Sequence, residues 1–364
     1  MASGTNKQTA APARSVHIET PALFSFPEAM RYTTRGFDDP RYVVEGGTVA
    51  TALRVEGHPI VIRVSETAGG LLAERIDGGS REAGAPEAGA AASNAGASEA
   101  RKPGASGSNA GASRLPEGGG AGADPGGADP GERTGAAIGA HVRRWFDLDR
   151  DLTEWQELVR AAESPLREVF SELEGFRLVA LPSLFEALSW CVLGQQINLA
   201  FAYRLKRRLS ERFADRVAVG DRRYYLFPEP ARLAAAHPDE LRGMQLSYRK
   251  AEYLIGLAEL FRDGELTEAG VERLGSTNAM MERLERIRGI GAWSAGYGLL
   301  KGLSRRDAVP YGDAGLGEAY RRLYGTTGRP SKRELDYVFS QFPGWEGYAA
   351  FYLWRSLLYY NDAT

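Results

Sequence analysis

From about Gly78 the chain stops carrying the side chains that build a core. The segment GGSREAGAPEAGAAASNAGASEARKPGASGSNAGASRLPEGGGAGADPGGADPGERTGAA runs on Ala, Gly, Ser, Pro and charge. It repeats SNAGAS and GADPG, and it holds no aromatic residue and almost no large aliphatic one. Such a stretch cannot bury enough apolar surface to offset the entropy of ordering its backbone. It is expected to be a disordered insertion at about 79–137. The folded mass must then be built from what lies on either side.

The two sides differ in period. Residues 1–14 are small and polar and are expected to form a disordered tail. HIETPALFSFPEAMRYTTRG predicts a strand and then a short helix near Pro27. RYVVEGGTVATALRVEGHPIVIRVSE alternates apolar and polar residues, is rich in Val, Ile and Thr, and is broken by Gly-Gly and EGHP. That pattern predicts two or three antiparallel strands joined by tight turns. From Ile138 onward the apolar spacing is helical to the end of the chain. LPSLFEALSWCVLGQQINLAFAYRLKRRLSERF opens with Ser183 and Glu186 in capping-box positions. Further amphipathic helices read over PEPARLAAAHPDELRGM, SYRKAEYLIGLAELFRDGEL, TNAMMERLERIRGIG, GLGEAYRRLYG, SKRELDYVFSQF and GYAAFYLWRSLLYY. The expected fold class is α+β: a small antiparallel α/β domain over 15–164, interrupted by the insertion, then an all-α body over 165–364.

Composition narrows the chemistry. The 364 residues are 43% hydrophobic and 25% charged, with a net charge of -2, so no global basic field announces a polyanionic partner. The single cysteine, Cys191, rules out an internal disulfide and any multi-cysteine zinc or iron–sulfur site. His17, His58, His141 and His237 have no helical spacing to one another, so no local histidine metal site is supported. No apolar run approaches the ~20 residues that span a bilayer. The N-terminal residues lack the apolar core of a signal peptide. A soluble, cytoplasmic protein is expected, nucleoid-associated if bacterial, with no required cofactor and no membrane partner.

The chemistry concentrates in RGIGAWSAGYGLLKGLSRRDAVPYGDAGL, residues 288–316. MMERLERIRGIGAWSAGYGLLKGL reads as helix, glycine turn, helix, with the hairpin at about 280–300. Gly289 and Gly291 permit a tight turn, and the helix that follows presents free amides suited to a phosphate. On spacing alone an ordinary αα-hairpin fits equally well. Asp313 in VPYGDAGL has a plain role as a helix N-cap. It also lies in the part of the chain that carries Trp293, Tyr297, Tyr311 and Trp354. A carboxylate beside aromatic faces is what a site for a flipped, electron-poor base needs.

LERIRGIGAWSAGYGLLKGL followed by YGDAGL resembles the signature of the helix-hairpin-helix DNA glycosylase superfamily. LFEALSWCVLGQQINLAFAYRL is similar to that family's helix with a Gly-Gln-Gln element. LFPEPARLAAAHPDELRGMQLSYRKAEYLIGLAELF looks like the segment joining it to the hairpin. The subgroup it resembles is DNA-3-methyladenine glycosylase II, in which an antiparallel α/β domain precedes the helical body. The strands before Ser80 and the stretch HVRRWFDLDRDL, 141–152, fit that domain with the insertion inside it.

The resemblance implies roles position by position. Asp313 is the catalytic aspartate, and Trp293, Tyr297 and Trp354 form the base pocket. Gln195 and Gln196 lie in the segment that enters the DNA stack, with Gln196 where relatives place an apolar wedge. Arg288, Gly289, Ile290 and Gly291 contact DNA, and Arg288 stands where a proline is common. A structural monovalent cation would rest on the main-chain carbonyls of Glu285, Ile287 and Ile290. Ala314 replaces the aromatic residue that often follows the aspartate, which opens the pocket on that side. Bifunctional relatives carry a lysine nucleophile where this chain has Trp293.

The implied activity is monofunctional removal of alkylated bases from double-stranded DNA by a monomer. A 3-methyladenine or 7-methylguanine already carries positive charge and needs no general acid to leave. Stacking on the aromatic walls would add roughly 0.5–2 kcal/mol per good cation–π contact. Two rival readings remain open: a glycosylase of the same fold for oxidised, deaminated or mispaired bases, and a non-catalytic helix-hairpin-helix DNA-binding protein.

Overall fold

The computed structural model describes residues 15–34, 39–77 and 129–362. The expected tail 1–14 and most of the insertion, 79–128, lie outside these residues. The described chain opens with β1 (Ser15–Glu19), α1 (Phe26–Thr34), β2 (Tyr42–Glu45), β3 (Thr48–Val55), β4 (His58–Thr67) and β5 (Gly70–Arg75). The strands form one five-stranded sheet in the order β1-β5-β4-β3-β2, antiparallel throughout.

Alternation along β3 and β4 sends large side chains one way and small ones the other. Val49, Leu53, Val55, Ile60, Ile62 and Val64 face the main core. Ala50, Ala52 and Val61 face a second, smaller cluster.

α2 (Pro130–Trp145) returns the chain to the sheet. Its first two turns fall inside 130–137, which the composition assigns to the insertion. Asp129 caps the helix by accepting from the Gly131 amide, and Pro130 starts it. Thr134, Ile138, Val142 and Trp145 then form a buried stripe at helical spacing. Small residues fill the rest of these turns, so composition hides the periodicity. The helix ends at Trp145, so the stretch 141–152 is only partly helical.

The body continues with α3 (Thr153–Ala161), α4 (Leu166–Ser171), α5 (Leu184–Gly194) and α6 (Leu199–Phe213). A hairpin follows, β6 (Arg216–Val219) and β7 (Arg222–Tyr225). It is the departure from an all-α body. Gly220 at φ +58° with Asp221 makes the two-residue turn, and Val217 and Tyr224 point to one side. Those two side chains and Leu226 pack on Ala50, Ala52 and Val61, so the hairpin covers the far face of the N-terminal sheet.

After it come α7 (Pro230–Ala234), α8 (Pro238–Gly243), α9 (Tyr248–Arg262), α10 (Glu268–Glu272), α11 (Thr277–Glu285), α12 (Ala292–Gly302), α13 (Ala314–Tyr324), α14 (Lys332–Ser340) and α15 (Glu346–Asp362).

One apolar cluster runs from Ile18 in β1 to Leu353 in α15, so sheet and helices share a core. Charges tie the same seam. Arg177, 2% exposed, donates to the carbonyls of Leu23, Asp147 and Arg150. Arg355, in α15, is fully buried and pairs with Glu28 of α1. Ser183 caps α5 as expected, accepting from the Glu186 amide at 3.1 Å. Glu186 does not complete a capping box. Its carboxylate is drawn instead into the interior, where Arg41 and Lys206 meet it.

Candidate active site

Asp313 precedes the first residue of α13 and is its N-cap, as the local sequence requires. Its Oδ1 accepts from the Leu316 amide at 2.9 Å. Two further donors come from distant parts of the chain. Trp293 Nε1, from the first turn of α12, donates to Oδ2 at 2.9 Å. Trp354 Nε1, from α15, donates to Oδ1 at 2.8 Å. Capping and side-chain clamping therefore coexist on one carboxylate.

Trp354 comes close because residue 315 is glycine. A Cβ there would stand 2.9 Å from Asp313 Oδ1 and 3.2 Å from Trp354 Cδ1. With two oxygens and about four acceptor positions, the carboxylate has one position left on Oδ2 among the described residues.

Tyr297 sits one turn after Trp293 on the same face of α12. Its ring lies 6.0 Å from that of Trp293 and 5.8 Å from that of Trp354, tilted in both cases. The three rings and Asp313 thus form one cluster, with Tyr297 at 9% exposure and the two indoles half-buried. Ala314 is exposed beside it. Tyr311, the fourth aromatic near the aspartate in sequence, turns away. Its hydroxyl donates to Asp336 and its ring packs on Phe339 in α14.

The structure adds residues that the sequence did not single out. Trp190 and Tyr203 belong to the same apolar cluster as Tyr297, and Trp293, Trp354 and Leu181 pack against it. Cys191 lies in this cluster too. Burial, and then the negative charge of Asp313, push its thiol well above the ordinary range, so it is no nucleophile. Trp190 was hidden because α5 is buried on nearly every side, and periodicity cannot tell which face lines a pocket.

The hairpin joins α11 to α12 through Arg286–Gly291. Gly289 has φ +92°, and a Cβ there would stand 2.4 Å from Tyr253 Cγ, so the turn is pressed onto α9. Gly291 is extended, caps α12 without a side chain, and has open space where a Cβ would be. The first turn of α12 therefore starts at an exposed position, Gly291 and Ala292, with the helix dipole behind it. Ile287 and Ile290 bury their side chains at 6% and 5% exposure and anchor the turn.

Gln195 Nε2 donates to the Gly289 carbonyl at 2.8 Å, tying the α5–α6 loop to the hairpin. Gln196 is exposed and adopts φ +57°. Of the two glutamines, Gln195 is occupied within the protein and Gln196 projects. Arg288 is exposed, lies over the Tyr253 ring and pairs with Glu252 at 3.2 Å. Among the described residues no group of His, Cys, Asp or Glu is arranged to hold a metal ion. A cation at the turn would rest on the carbonyls of Glu285, Ile287 and Ile290. The Ile287 carbonyl already accepts the Ile290 amide at 3.0 Å, which leaves it one further acceptor position.

A helix–glycine turn–helix hairpin thus stands beside an aromatic cluster that holds a carboxylate, and the fold and this arrangement together point to a class of DNA-binding hairpin proteins. Comparison with known proteins agrees. The model of the HhH-GPD superfamily of base excision DNA repair proteins matches residues 189–342. A DNA-3-methyladenine glycosylase of Bacillus subtilis is 39% identical over 223 residues, covering 60% of this chain and 72% of that protein. DNA-3-methyladenine glycosylase 2 of Escherichia coli is 29% identical over 223 residues, covering 61% and 73%. The fold matches a 3-methyladenine DNA glycosylase from Archaeoglobus fulgidus with a TM-score of 0.66 at 19% identity, over 93% of this chain and 96% of that one. It also matches a Clostridium acetobutylicum 8-oxoguanine glycosylase/lyase with a TM-score of 0.63 at 15% identity, over 94% and 100%. The chain belongs to the HhH-GPD superfamily of base excision DNA repair proteins.

Proposed function

We propose that this protein is a monomeric DNA glycosylase that removes alkylated purines, of the 3-methyladenine and 7-methylguanine type, from double-stranded DNA by hydrolysis alone. The observation that carries this reading is the clamped carboxylate. Asp313 receives an indole N–H on each oxygen, from two rings that also flank Tyr297.

A flipped cationic base stacks among Trp293, Tyr297 and Trp354, whose faces are electron-rich. The N-glycosidic bond breaks, and its electron pair returns to the base and cancels the base's charge. Positive charge then develops on the sugar, opposite the fixed negative charge of Asp313. The free position on Oδ2 orients the attacking water and accepts its proton.

The hairpin amides grip a nearby phosphate, and Gln196 enters the gap left in the stack. A monovalent cation on the turn carbonyls would add positive charge toward that phosphate.

Two buried amines near the aromatic cluster are engaged within the protein, which supports hydrolysis without strand cleavage. Trp293 occupies the hairpin position that a lysine nucleophile would need. Lys206 is ion-paired with Asp39, and Lys301 donates to the Val179 carbonyl. Neither amine is poised to attack a sugar.

The test is single-turnover release of methylated bases from alkylated duplex DNA by the full chain and by Asp313→Asn. Release by the native protein, a loss of at least about 100-fold in the variant, and no strand breaks without added heat or base are expected. Undiminished release by the variant would sink the mechanism. Strand breaks that appear with the base would refute the hydrolytic reading.

A further inference from the structure

Four charged side chains meet beside the aromatic cluster, with Arg41, Glu186 and Lys206 buried and Asp39 nearly so. Lys206 of α6 is 2% exposed, and its Nζ bonds Asp39 at 2.9 Å and pairs with Glu186 of α5 at 3.2 Å. Arg41 closes the set on Glu186. Asp39 and Arg41 come from the N-terminal domain, Glu186 and Lys206 from the helical body. Burial opposes the charge on Lys206, but Asp39 and Glu186 outweigh it and raise its pKa above the ordinary value, so the amine stays charged.

The helices place this set against the aromatic cluster. Glu186 and Trp190 are four apart on α5, and Tyr203 and Lys206 are three apart on α6, so each charge shares a face with a ring. The rings of Trp190 and Tyr203 lie 4.7 Å apart. Lys206 Nζ lies 5.7 Å from the centroid of Trp190. Trp190, Tyr203, Tyr297, Asp39 and Lys206 together border a cavity of about 40 Å³. It has room for solvent and not for a base. Packing therefore leaves slack beside Trp190 and Tyr297, and the Lys206 ammonium borders it together with that of Lys301, which is held on the Val179 carbonyl.

We propose that Lys206 is a positioning residue that holds Trp190 at the floor of the base pocket, and that the N-terminal domain sets it through Asp39. The inference rests on the pocket assignment above and deepens it. With Lys206 in place the floor is shallow and suits a purine bearing a methyl group. Without it, Trp190 drops toward the cavity and a bulkier adduct gains room. The charged set is thus a size filter built across the seam between sheet and helices.

The experiment uses the full chain and duplexes with one lesion, either 7-methylguanine or the larger 1,N6-ethenoadenine. kcat and KM are measured for each. Lys206→Met is expected to raise the ratio of kcat/KM for the larger lesion over the smaller by about fivefold or more, with the change in KM. Asp39→Asn, isosteric and milder, should move the ratio the same way by about twofold or more, and Lys206→Arg should restore the native ratio. A purely structural role would slow both lesions equally. Unchanged ratios in Lys206→Met and Asp39→Asn overturn the proposal. If Lys206→Met does not fold, Asp39→Asn decides by the same criterion. Native protein that releases no alkylated base refutes the function assigned above and this inference with it. Native release with unmoved ratios refutes the inference alone.

Discussion

Trp354→Phe separates clamping from stacking. Phenylalanine keeps an aromatic wall near Tyr297, now 5.8 Å from the tryptophan ring, but removes the N–H that reaches Asp313 at 2.8 Å. A hydrogen bond to a charged group contributes about 1.5–3 kcal/mol. Asp313 and Trp354 are half-buried, so solvent screens the pair and the lower end applies. At about 1.4 kcal/mol per tenfold, the single-turnover rate should fall roughly 10- to 30-fold.

Folding should change much less. Oδ1 keeps the Leu316 amide, so the cap of α13 survives. Oδ2 keeps Trp293, so the carboxylate is loosened rather than released. The assay is release of 7-methylguanine from a saturating duplex, with thermal melting of each variant measured alongside. A rate within about twofold of native would refute the clamp, since no charge-assisted bond is that weak in a partly desolvated site. A rate loss with an equally large loss of stability would refute it as well.

Two further perturbations test the supports of the site. Gly289→Ala must place a Cβ into Tyr253 from a backbone at φ +92°, so it should destabilise the hairpin by about 1–3 kcal/mol and weaken duplex binding about tenfold. Native melting and native affinity by fluorescence anisotropy would contradict that geometry. His141 lies under the sheet-to-body seam. Burial, then the charges of Arg41 and Arg144, lower its pKa from 6.5 to about 3. Between those values the unfolded chain binds a proton that the folded chain does not, so stability falls as pH falls through that window. His141→Gln should therefore lose less Tm than native protein between pH 7 and pH 5, and an equal loss would show that the imidazole is not held neutral.

Much of the candidate site is local: the glycine turn, Trp293, Tyr297 and Asp313 fall within one helix and the loops on either side of it, and the resemblance of that stretch to a known signature, rather than spacing alone, singled them out. The strand alternation before the insertion was legible directly, since a period of two is a property of neighbouring residues. The first turns of α2 were not, because small residues carry little apolar signal although Thr134, Ile138 and Val142 keep the stripe. The β6–β7 hairpin was overlooked between long helices, although Gly220-Asp221 is a two-residue turn signal.

Sequence by itself determined that this chain has a sheet-forming part, a helical part, a hairpin and a carboxylate at a helix start. Each is fixed by backbone preference or by side-chain period over a few residues. Only the tertiary structure decided what that carboxylate touches. Trp354 is 41 residues from Asp313 and Trp293 is 20, and nothing in local pattern says that both indoles turn their N–H toward it. The same holds for Asp39 and Arg41, which meet Lys206 and Glu186 from the other side of the seam. Hydrogen bonds and buried ion pairs depend on distance and angle between distant helices, and packing sets those only when the whole core closes.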